Sequence, residues 1–129
     1  MTYAPIVLFT YNRADHTRQA VESLLRNAEA KDTDLFIFSD GPKNEKAAEG
    51  VKANREFIRT ITGFKSITII EREKNWGLSK NLIEGITKIN NKFGRVIVVE
   101  DDLVVSPFFL RYMNDGLEKY EHDERVASI

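Results

Sequence analysis

The sequence predicts an α/β domain with a mostly parallel sheet and helices on both faces, and three observations support this fold class. Short runs of β-branched and aromatic residues alternate about four times with stretches of helical periodicity, which favours parallel strands joined by right-handed crossovers. Three of the runs are continuously apolar, as is typical of strands covered on both faces. With 129 residues, 42% of them hydrophobic and 30% charged, the chain fits a single domain over residues 1–129.

Five strands and four helices are predicted. The strands are PIVLFT (5–10), DLFIFSD (34–40), SITIIER (66–72), RVIVVE (95–100) and RVASI (125–129). Apolar positions three or four residues apart place one stripe on each helix, and we expect each stripe to pack in the core. The stripes are Ala20, Val21, Leu24, Leu25 and Ala28; Ala47, Val51, Ile58 and Ile61; Leu82, Ile86, Ile89 and Phe93; and Phe109, Tyr112, Met113, Gly116, Leu117 and Tyr120.

Composition excludes several classes of protein. The formal net charge is −1 and no basic tract occurs, which argues against nucleic-acid binding. Without cysteine there is no disulfide scaffold, no thiolate zinc site and no cysteine nucleophile. His16 and His122 are far apart in sequence and form no paired motif. The first apolar run is too short for a signal peptide or a membrane span, so we expect a cytoplasmic protein.

Polar residues follow each of the first four predicted strands. They are Thr10, Tyr11, Asn12 and Arg13; Ser39, Asp40, Gly41 and Pro42; Glu71, Arg72 and Glu73 with the loop KNWGLSKN (74–81); and Glu100, Asp101 and Asp102. Ligands of open parallel sheets bind beyond the carboxyl ends of the strands, so we expect these residues to share one rim. Their carboxylates, amides and arginines suit a cation together with a polar, anionic ligand.

The acidic triplet Glu100–Asp102 stands between two apolar runs in VIVVEDDLVV (96–105). Adjacent carboxylates repel one another, so the cluster needs an explanation. Capping of the next helix is a weak explanation, because Ser106 and Pro107 already provide a start signal for that helix. A solvated turn is the other structural explanation. At the end of a buried strand a Mg²⁺ or Mn²⁺ site is favoured, since these ions take carboxylate and phosphate oxygens.

The other rim residues each have two interpretations that the sequence leaves open. Asp40 suits a turn as well as a ligand contact, and Asn12 and Arg13 suit turn positions as well as contacts to a phosphate or a base. In the 74–81 loop, Gly77 permits an unusual backbone angle, and Lys80 and the following helix start would approach an anion. The structural alternative is a plain turn capped by Ser79 or Asn75. Neither G-x-x-x-x-G-K-[ST] nor G-x-G-x-x-G occurs, which argues against a phosphate-binding P-loop and a dinucleotide cofactor.

In this order along the chain, PIVLFTYNR, FSDG, NWGLSKN and VIVVEDDLVVSPFFLRYM resemble the nucleotide-binding half of GT-A glycosyltransferases. The similarity is greatest to the N-acetylglucosaminyltransferase I type, with the family 2 transferases nearby, and it covers essentially the whole chain. It implies a Rossmann-like fold that binds a UDP-type nucleotide sugar through Mn²⁺ or Mg²⁺. The implied reaction is inverting transfer of the sugar to a saccharide or another hydroxyl acceptor.

The resemblance also implies roles for individual residues. Asp102 would match the last acid of the family's D-x-D-type motif, which holds the metal ion, while Asp101 would face the ribose and Glu100 the transferred sugar. Asp40 would match the acid that binds the uracil ring. The remaining residues placed at the nucleotide-sugar site are Thr10, Asn12 and Arg13 in the nucleotide pocket, and Asn75, Gly77 and Lys80 beside the ribose and diphosphate.

The resemblance further implies that the general base lies beyond Ile129, in a second half that follows the strand beginning like RVASI. We therefore expect a truncated chain that binds the donor but does not catalyse transfer alone. The alternatives are a non-catalytic nucleotide-binding module and a Mg-dependent nucleotidyl- or phosphoryl-transfer α/β domain. Expected partners are the nucleotide sugar and a saccharide acceptor, without nucleic acid and without a membrane segment in this chain. A homo-oligomer would suit the unpaired sheet edge that such a truncation leaves.

Overall fold

The computed structural model describes residues 2–120, which form a four-stranded parallel sheet flanked by helices. The strands are β1 (Ile6–Thr10), β2 (Asp34–Ser39), β3 (Ser66–Glu71) and β4 (Ile97–Glu100). The helices are α1 (Ala14–Leu25), α2 (Glu45–Ile58), α3 (Leu78–Phe93) and α4 (Phe109–Tyr120), with a short 3₁₀ helix at Ala28–Asp32. The predicted α/β fold is confirmed, while the predicted strand at 125–129 and His122 lie outside the described residues.

The strand order is β3-β2-β1-β4, and every pair is parallel. The chain builds outward from β1 through β2 to β3 and then returns to place β4 on the other side of β1. This reversal makes the carboxyl ends of β1 and β4 the topological switch point, where open α/β sheets bind their ligands.

Both faces of β1 and β2 are buried, as their continuous apolar runs predict, whereas the residues of the edge strand β3 are exposed or partly exposed. On one face, the side chains of Leu8, Leu35 and Ile37 pack with residues of α1, α2 and α4, including Leu24 and Ile58. The other face belongs to α3. There the aromatic and β-branched residues of β1 and β2 pack with apolar residues of α3, namely Val7, Phe9, Phe36 and Phe38 with Leu82, Ile86 and Ile89.

Four residues of the predicted stripes are exposed, and the side chain of Tyr120 lies outside the described part of the chain. Leu25 and Phe93 are each 37% exposed, Tyr112 is 69% exposed, and Ala28 is exposed in the 3₁₀ helix because α1 has already ended. Buried polar residues lie nearby, Ser23 on α1 and Asn27 just after its end. Asn27 accepts from the Leu110 N–H (2.9 Å) through Oδ1 and donates to the Ser106 carbonyl (3.1 Å), so it fixes the start of α4.

The start of α4 agrees with the predicted signal. The Ser106 hydroxyl accepts from the Phe108 N–H at 3.2 Å, whereas Asp101 and Asp102 form a turn directly after β4. The acids therefore do not cap α4. Within residues 2–120, no helix is both long enough and apolar enough to cross a membrane.

Candidate functional site

A cavity of about 480 Å³ opens at the carboxyl edge of the sheet. The segments that follow all four strands contribute residues to its lining. The lining residues are Phe9, Thr10, Tyr11, Asn12, Arg13, Asp40, Lys43, Asn75, Gly77, Leu78, Asn81, Glu100, Asp101 and Asp102. The structure thus brings nine of the ten predicted site residues into one cavity and leaves out only Lys80.

The register of β1 and β4 places the acidic triplet beside Thr10. Phe9 pairs with Glu100, and the first N–H after β4, that of Asp101, donates to the Phe9 carbonyl at 3.2 Å. The chain then turns, and the Leu103 N–H donates to the Glu100 carbonyl at 3.1 Å. As a result Asp101 faces inward and is partly buried, while Glu100 and Asp102 are exposed at the edge of the cavity.

A buried polar network supports Asp101 from below. The Thr10 hydroxyl lies 3.4 Å from Asp101 Oδ2 and 2.7 Å from the Thr17 hydroxyl, and it accepts from Asn54 Nδ2 at 2.9 Å. Asn54 also donates to the Tyr11 carbonyl at 3.2 Å. Its Oδ1 is buried and has no hydrogen-bond partner among residues 2–120. Polar groups at the end of a buried strand are thus arranged around one carboxylate.

The carboxylate of Asp40 lies on the opposite wall and is almost fully buried, with 6% of the residue exposed. Oδ1 accepts from the N–H groups of Gly41 (2.9 Å) and Trp76 (2.8 Å). Oδ2 accepts from the Gly77 N–H (3.1 Å) and from Asn75 Nδ2 (3.2 Å). Asp40 therefore joins the exit of β2 to the loop that precedes α3.

Cationic side chains brace the same loop from outside. The Arg72 guanidinium carbon lies 3.7 Å from the centroid of the Trp76 ring and 5.3 Å from that of Phe38, and Arg72 also forms an ion pair with Glu84. Lys80 is exposed, and its Nζ lies 4.9 Å from the Trp76 centroid. Lys80 contacts this tryptophan and does not line the cavity, which is why the structure separates it from the other predicted site residues.

Arg55 of α2 holds the exits of β2 and β3 together. Its guanidinium donates to the Ser39 hydroxyl (2.9 Å) and to the carbonyls of Ser39 (3.3 Å), Asp40 (3.3 Å) and Arg72 (2.7 Å). No local sequence pattern marks Arg55 for this role, because three of its four acceptors are backbone carbonyls.

The chain matches the glycosyl transferase family 2 domain over residues 6–128. It belongs to that family. It is also 24% identical over 141 residues to an alpha-1,3-mannosyl-glycoprotein 2-beta-N-acetylglucosaminyltransferase of Arabidopsis thaliana, covering 99% of this chain and 30% of that protein. The chain therefore spans about 30% of the length of this relative. The predicted GT-A glycosyltransferase family is confirmed.

Five further residues line the cavity of this family 2 domain without having been predicted as site residues: Phe9, Tyr11, Lys43, Leu78 and Asn81. The Tyr11 hydroxyl accepts from the Lys43 N–H at 2.8 Å, which ties the β1 exit to the β2 exit. Asn81 is buried, and its Oδ1 accepts from Arg72 Nε at 3.3 Å. Tyr11 and Asn81 stand within the predicted rim segments, so their positions were available in the sequence although their contacts were not.

The acidic residues at the end of β4 suit a cation that takes some of its oxygen ligands from a bound phosphate. Within residues 2–120, no three histidine, cysteine, aspartate or glutamate side chains come together as a complete metal site. The exposed Glu100 and Asp102 and the partly buried Asp101 offer only carboxylate oxygens. This donor set fits an ion held by one or two carboxylates plus phosphate oxygens, and it does not fit a cage made by protein alone.

Burial raises the pKa of the Asp101 carboxyl above its ordinary value of 3.8, and the neighbouring Asp102 adds to this effect. The Tyr11 N–H, the Arg13 charge and the Thr10 hydroxyl act in the opposite direction without cancelling it. A carboxyl whose pKa is higher in the folded than in the unfolded chain favours folding less once it ionises. The ionised Asp101 carboxylate therefore lowers the free energy of unfolding at neutral pH.

Asp101→Asn is expected to raise the free energy of unfolding of the metal-free protein at pH 7. The gain should shrink as the pH falls through the raised pKa and disappear below about 3.8, where the wild-type carboxyl is protonated in both states. Urea unfolding in the presence of a chelator, measured from pH 3 to pH 7 by roughly half-unit steps, checks this. Asp115→Asn, at an exposed position of α4, is the control and should show no such pH-dependent gain. A destabilised Asp101→Asn protein at pH 7 would contradict this account of the burial cost.

Proposed function

We propose that the cavity binds a nucleotide sugar of the UDP type through Mn²⁺ or Mg²⁺, as the donor in inverting glycosyl transfer to a saccharide hydroxyl. The observation that carries this proposal is the convergence of the Glu100–Asp102 acids and the cationic Arg13 and Lys43 on one cavity at the switch point of the sheet. A cavity with acidic side chains alone would suit a cation, and a cavity with cationic side chains alone would suit an anion. Both together suit a metal-bound diphosphate.

The size of the cavity and the backbone around it support the same ligand. Pockets for small ligands commonly measure about 300–1,000 Å³, and this one lies within that range at about 480 Å³. Helix α3 begins at Leu78 with Gly77 as its N-cap, and both residues line the cavity. The first N–H groups of a helix have no partners within the helix and carry partial positive charge, so they favour an anion at this wall.

The residue roles in this proposal follow the family resemblance. Asp102 is the metal ligand, because it is the exposed acid at the end of the triplet. Asp101 faces the ribose, Glu100 the transferred sugar, and Thr10 and Arg13 the nucleotide. When bound, the ion would neutralise charge on the departing diphosphate. The general base that activates the acceptor hydroxyl is not assigned to any residue in 2–120.

The proposed acceptor class comes from the relative. Its name describes transfer of N-acetylglucosamine to a mannosyl glycoprotein, which supports a saccharide acceptor here without defining it. The sugar of the donor is likewise left open. The nucleotide and the ion are the parts of the proposal that this chain can test by itself.

Calorimetric titration with UDP, GDP and inorganic phosphate, each with Mn²⁺ and with a chelator, tests the proposed function. We expect UDP to bind in the presence of Mn²⁺, more tightly than GDP or phosphate, and to lose most of its affinity in the chelator. Equal UDP affinity with and without the ion would overturn the metal-dependent part. Failure of UDP to bind under both conditions would overturn the donor-site proposal.

A further inference from the structure

Asn81, on the first turn of α3, carries a buried amide of which the protein uses only one end. The residue is 2% exposed and lines the cavity together with Gly77 and Leu78. Its Oδ1 accepts from Arg72 Nε at 3.3 Å, whereas its Nδ2 makes no hydrogen bond within residues 2–120. Buried side-chain amides are nearly always hydrogen-bonded, so the unused NH₂ group needs an explanation.

Arg72 determines the orientation of this amide. A guanidinium group has five N–H donors and no acceptor, so only the oxygen of the Asn81 amide suits it. The side chain of Arg72 is itself held in place, because it is only 11% exposed and forms an ion pair with Glu84. Its guanidinium carbon also lies 3.7 Å from the centroid of the Trp76 ring. The NH₂ group of Asn81 is therefore turned away from Arg72.

The same NH₂ group is open to the cavity. Among the buried and partly buried residues of 2–120, Asn54 Oδ1 is the only side-chain nitrogen or oxygen that is sealed from solvent without a hydrogen-bond partner. Nδ2 of Asn81 has no partner and is not sealed, so it reaches solvent through the cavity that the residue lines. It offers a hydrogen-bond donor to an acceptor that residues 2–120 do not supply.

The contacts of Asn81 place it on the wall of the cavity that faces away from the acidic triplet. Its N–H donates to the Gly77 carbonyl at 3.1 Å, and the Gly77 N–H in turn donates to Asp40 Oδ2 at 3.1 Å. Asp40 follows β2, and Arg72 follows β3. The acidic triplet stands at the end of β4, at the other end of the strand order β3-β2-β1-β4. The free donor and the acids therefore meet different parts of a ligand.

We propose that Asn81 is a ligand-binding residue, whose Nδ2 donates a hydrogen bond to an acceptor oxygen on the nucleoside part of the ligand. This inference rests on the proposed function, in which the acidic triplet holds the ion and, through the ion, the diphosphate. The nucleoside then occupies the wall at the exits of β2 and β3. Its acceptor oxygens are the carbonyl groups of the base and the hydroxyl groups of the ribose, and Arg72 positions the donor that meets them.

Asn81→Asp tests the two ends of the amide separately. One carboxylate oxygen still accepts from Arg72 Nε, while the other replaces the NH₂ donor with an acceptor. The urea midpoint at pH 7 should stay close to that of the wild type, because the carboxylate is paired with Arg72 and no protein acceptor loses its donor. The affinity for UDP with Mn²⁺ should fall by about tenfold or more, because the new oxygen faces an acceptor oxygen of the nucleoside. A clear loss of stability would mean that the protein itself uses the NH₂ group, and it would overturn the proposal.

Asn81→Leu removes the donor without adding charge, so it separates a lost hydrogen bond from charge repulsion. Its affinity for UDP with Mn²⁺ should fall by about threefold to tenfold, while its affinity for pyrophosphate with Mn²⁺ should match that of the wild type. The matched control is Asn90→Asp, the same chemical change at an exposed position in the last turn of α3, which should bind UDP with wild-type affinity. Equal losses for UDP and pyrophosphate in Asn81→Leu would place the donor at the diphosphate and overturn the proposal.

These titrations also distinguish failure of this proposal from failure of the proposed function. If the wild type binds UDP and both Asn81 variants bind it equally well, the proposed function stands and the Asn81 proposal fails. If the wild type does not bind UDP, the proposed function fails and the nucleoside contact fails with it, while the urea midpoint of Asn81→Asp still decides the orientation of the amide. Titration with 2′-deoxy-UDP separates the two acceptor sources. An equal loss for both nucleotides in Asn81→Leu excludes the ribose 2′-hydroxyl as the acceptor, and a loss for UDP alone identifies it.

Discussion

Asp102→Ala is expected to abolish the metal-dependent part of UDP binding. If Asp102 is the carboxylate that holds the ion, its loss removes a direct metal ligand. Loss of an outer partner of a metal ligand already costs about 10–100-fold, so we expect the affinity for UDP with Mn²⁺ to fall by about 100-fold or more. The residual affinity should equal that of wild type in a chelator. Calorimetry with and without Mn²⁺ measures both quantities.

The control for this variant is Asp32→Ala. Asp32 is an exposed acid at the end of the 3₁₀ helix, just before β2 begins, and so lies toward the opposite edge of the sheet. The Asp32→Ala variant should bind UDP with the affinity of the wild type. Because Asp102 is exposed and makes no hydrogen bond within residues 2–120 that would be lost, its replacement should leave the unfolding transition almost unchanged. Full Mn²⁺-dependent binding by Asp102→Ala would remove Asp102 from the metal site.

Phe38→Ala is expected to cause a large loss of stability, about 3–5 kcal/mol. Phe38 is fully buried, and its ring stacks on Phe9 with centroids 5.3 Å apart. It also contacts Arg72, which packs on Trp76, so the ring connects the core to the loop of the site. Truncation leaves a cavity on the α3 face that the surrounding residues fill only in part. Urea unfolding at pH 7 gives the difference in the free energy of unfolding.

Phe93→Ala provides the matched truncation. Phe93 lies at the end of α3, is 37% exposed and meets Phe36 edge to face with centroids 5.6 Å apart. Phe93→Ala should lower the free energy of unfolding clearly less than Phe38→Ala does, because it removes less apolar surface that was buried away from water. Equal losses for the two variants would mean that the described α3 face is not the tightly packed part of the core.

The sequence predicts the elements of the fold better than their arrangement. Continuously apolar runs mark β1, β2 and β4, because strands covered on both faces cannot alternate with polar residues. The edge strand β3, which has no fully buried residue, is marked by its β-branched residues alone. The position of β4 beside β1 depends on contacts distant in the chain, which no local pattern encodes. The helical stripe predicts that Leu25 lies in the core, but Leu25 is exposed. Ser23 and Asn27 are buried instead, and they accept hydrogen bonds from the segment before α4 and from the first turn of α4. The stripe does not reveal these hydrogen bonds.

For the candidate site too, the sequence predicts which residues take part better than it predicts their contacts. The rule that ligands meet the carboxyl ends of parallel strands placed Thr10, Asp40 and Asp101 at one rim, and they line one cavity. The partners of Asp40 lie 35 to 37 residues away in the loop before α3, apart from the adjacent Gly41, so the sequence leaves its turn and ligand interpretations equal. The family resemblance predicts Lys80 beside the ribose and diphosphate; in the structure its side chain packs on Trp76, a direction that the sequence does not reveal.

Mapping UDP on the ¹⁵N-labelled protein by NMR tests whether the nucleotide and the ion bind at the carboxyl edge of the sheet. With Mg²⁺ present, we expect amide shifts in the four rim segments 10–13, 40–43, 75–78 and 100–102, and none around Asp34 and Ser66 at the other edge of the sheet. Replacing Mg²⁺ with Mn²⁺ should then broaden the amides nearest Asp102 most strongly, and only when UDP is bound. Shifts confined to another surface would rule out the cavity as the donor site, and broadening centred away from Asp102 would rule out Asp102 as the metal ligand.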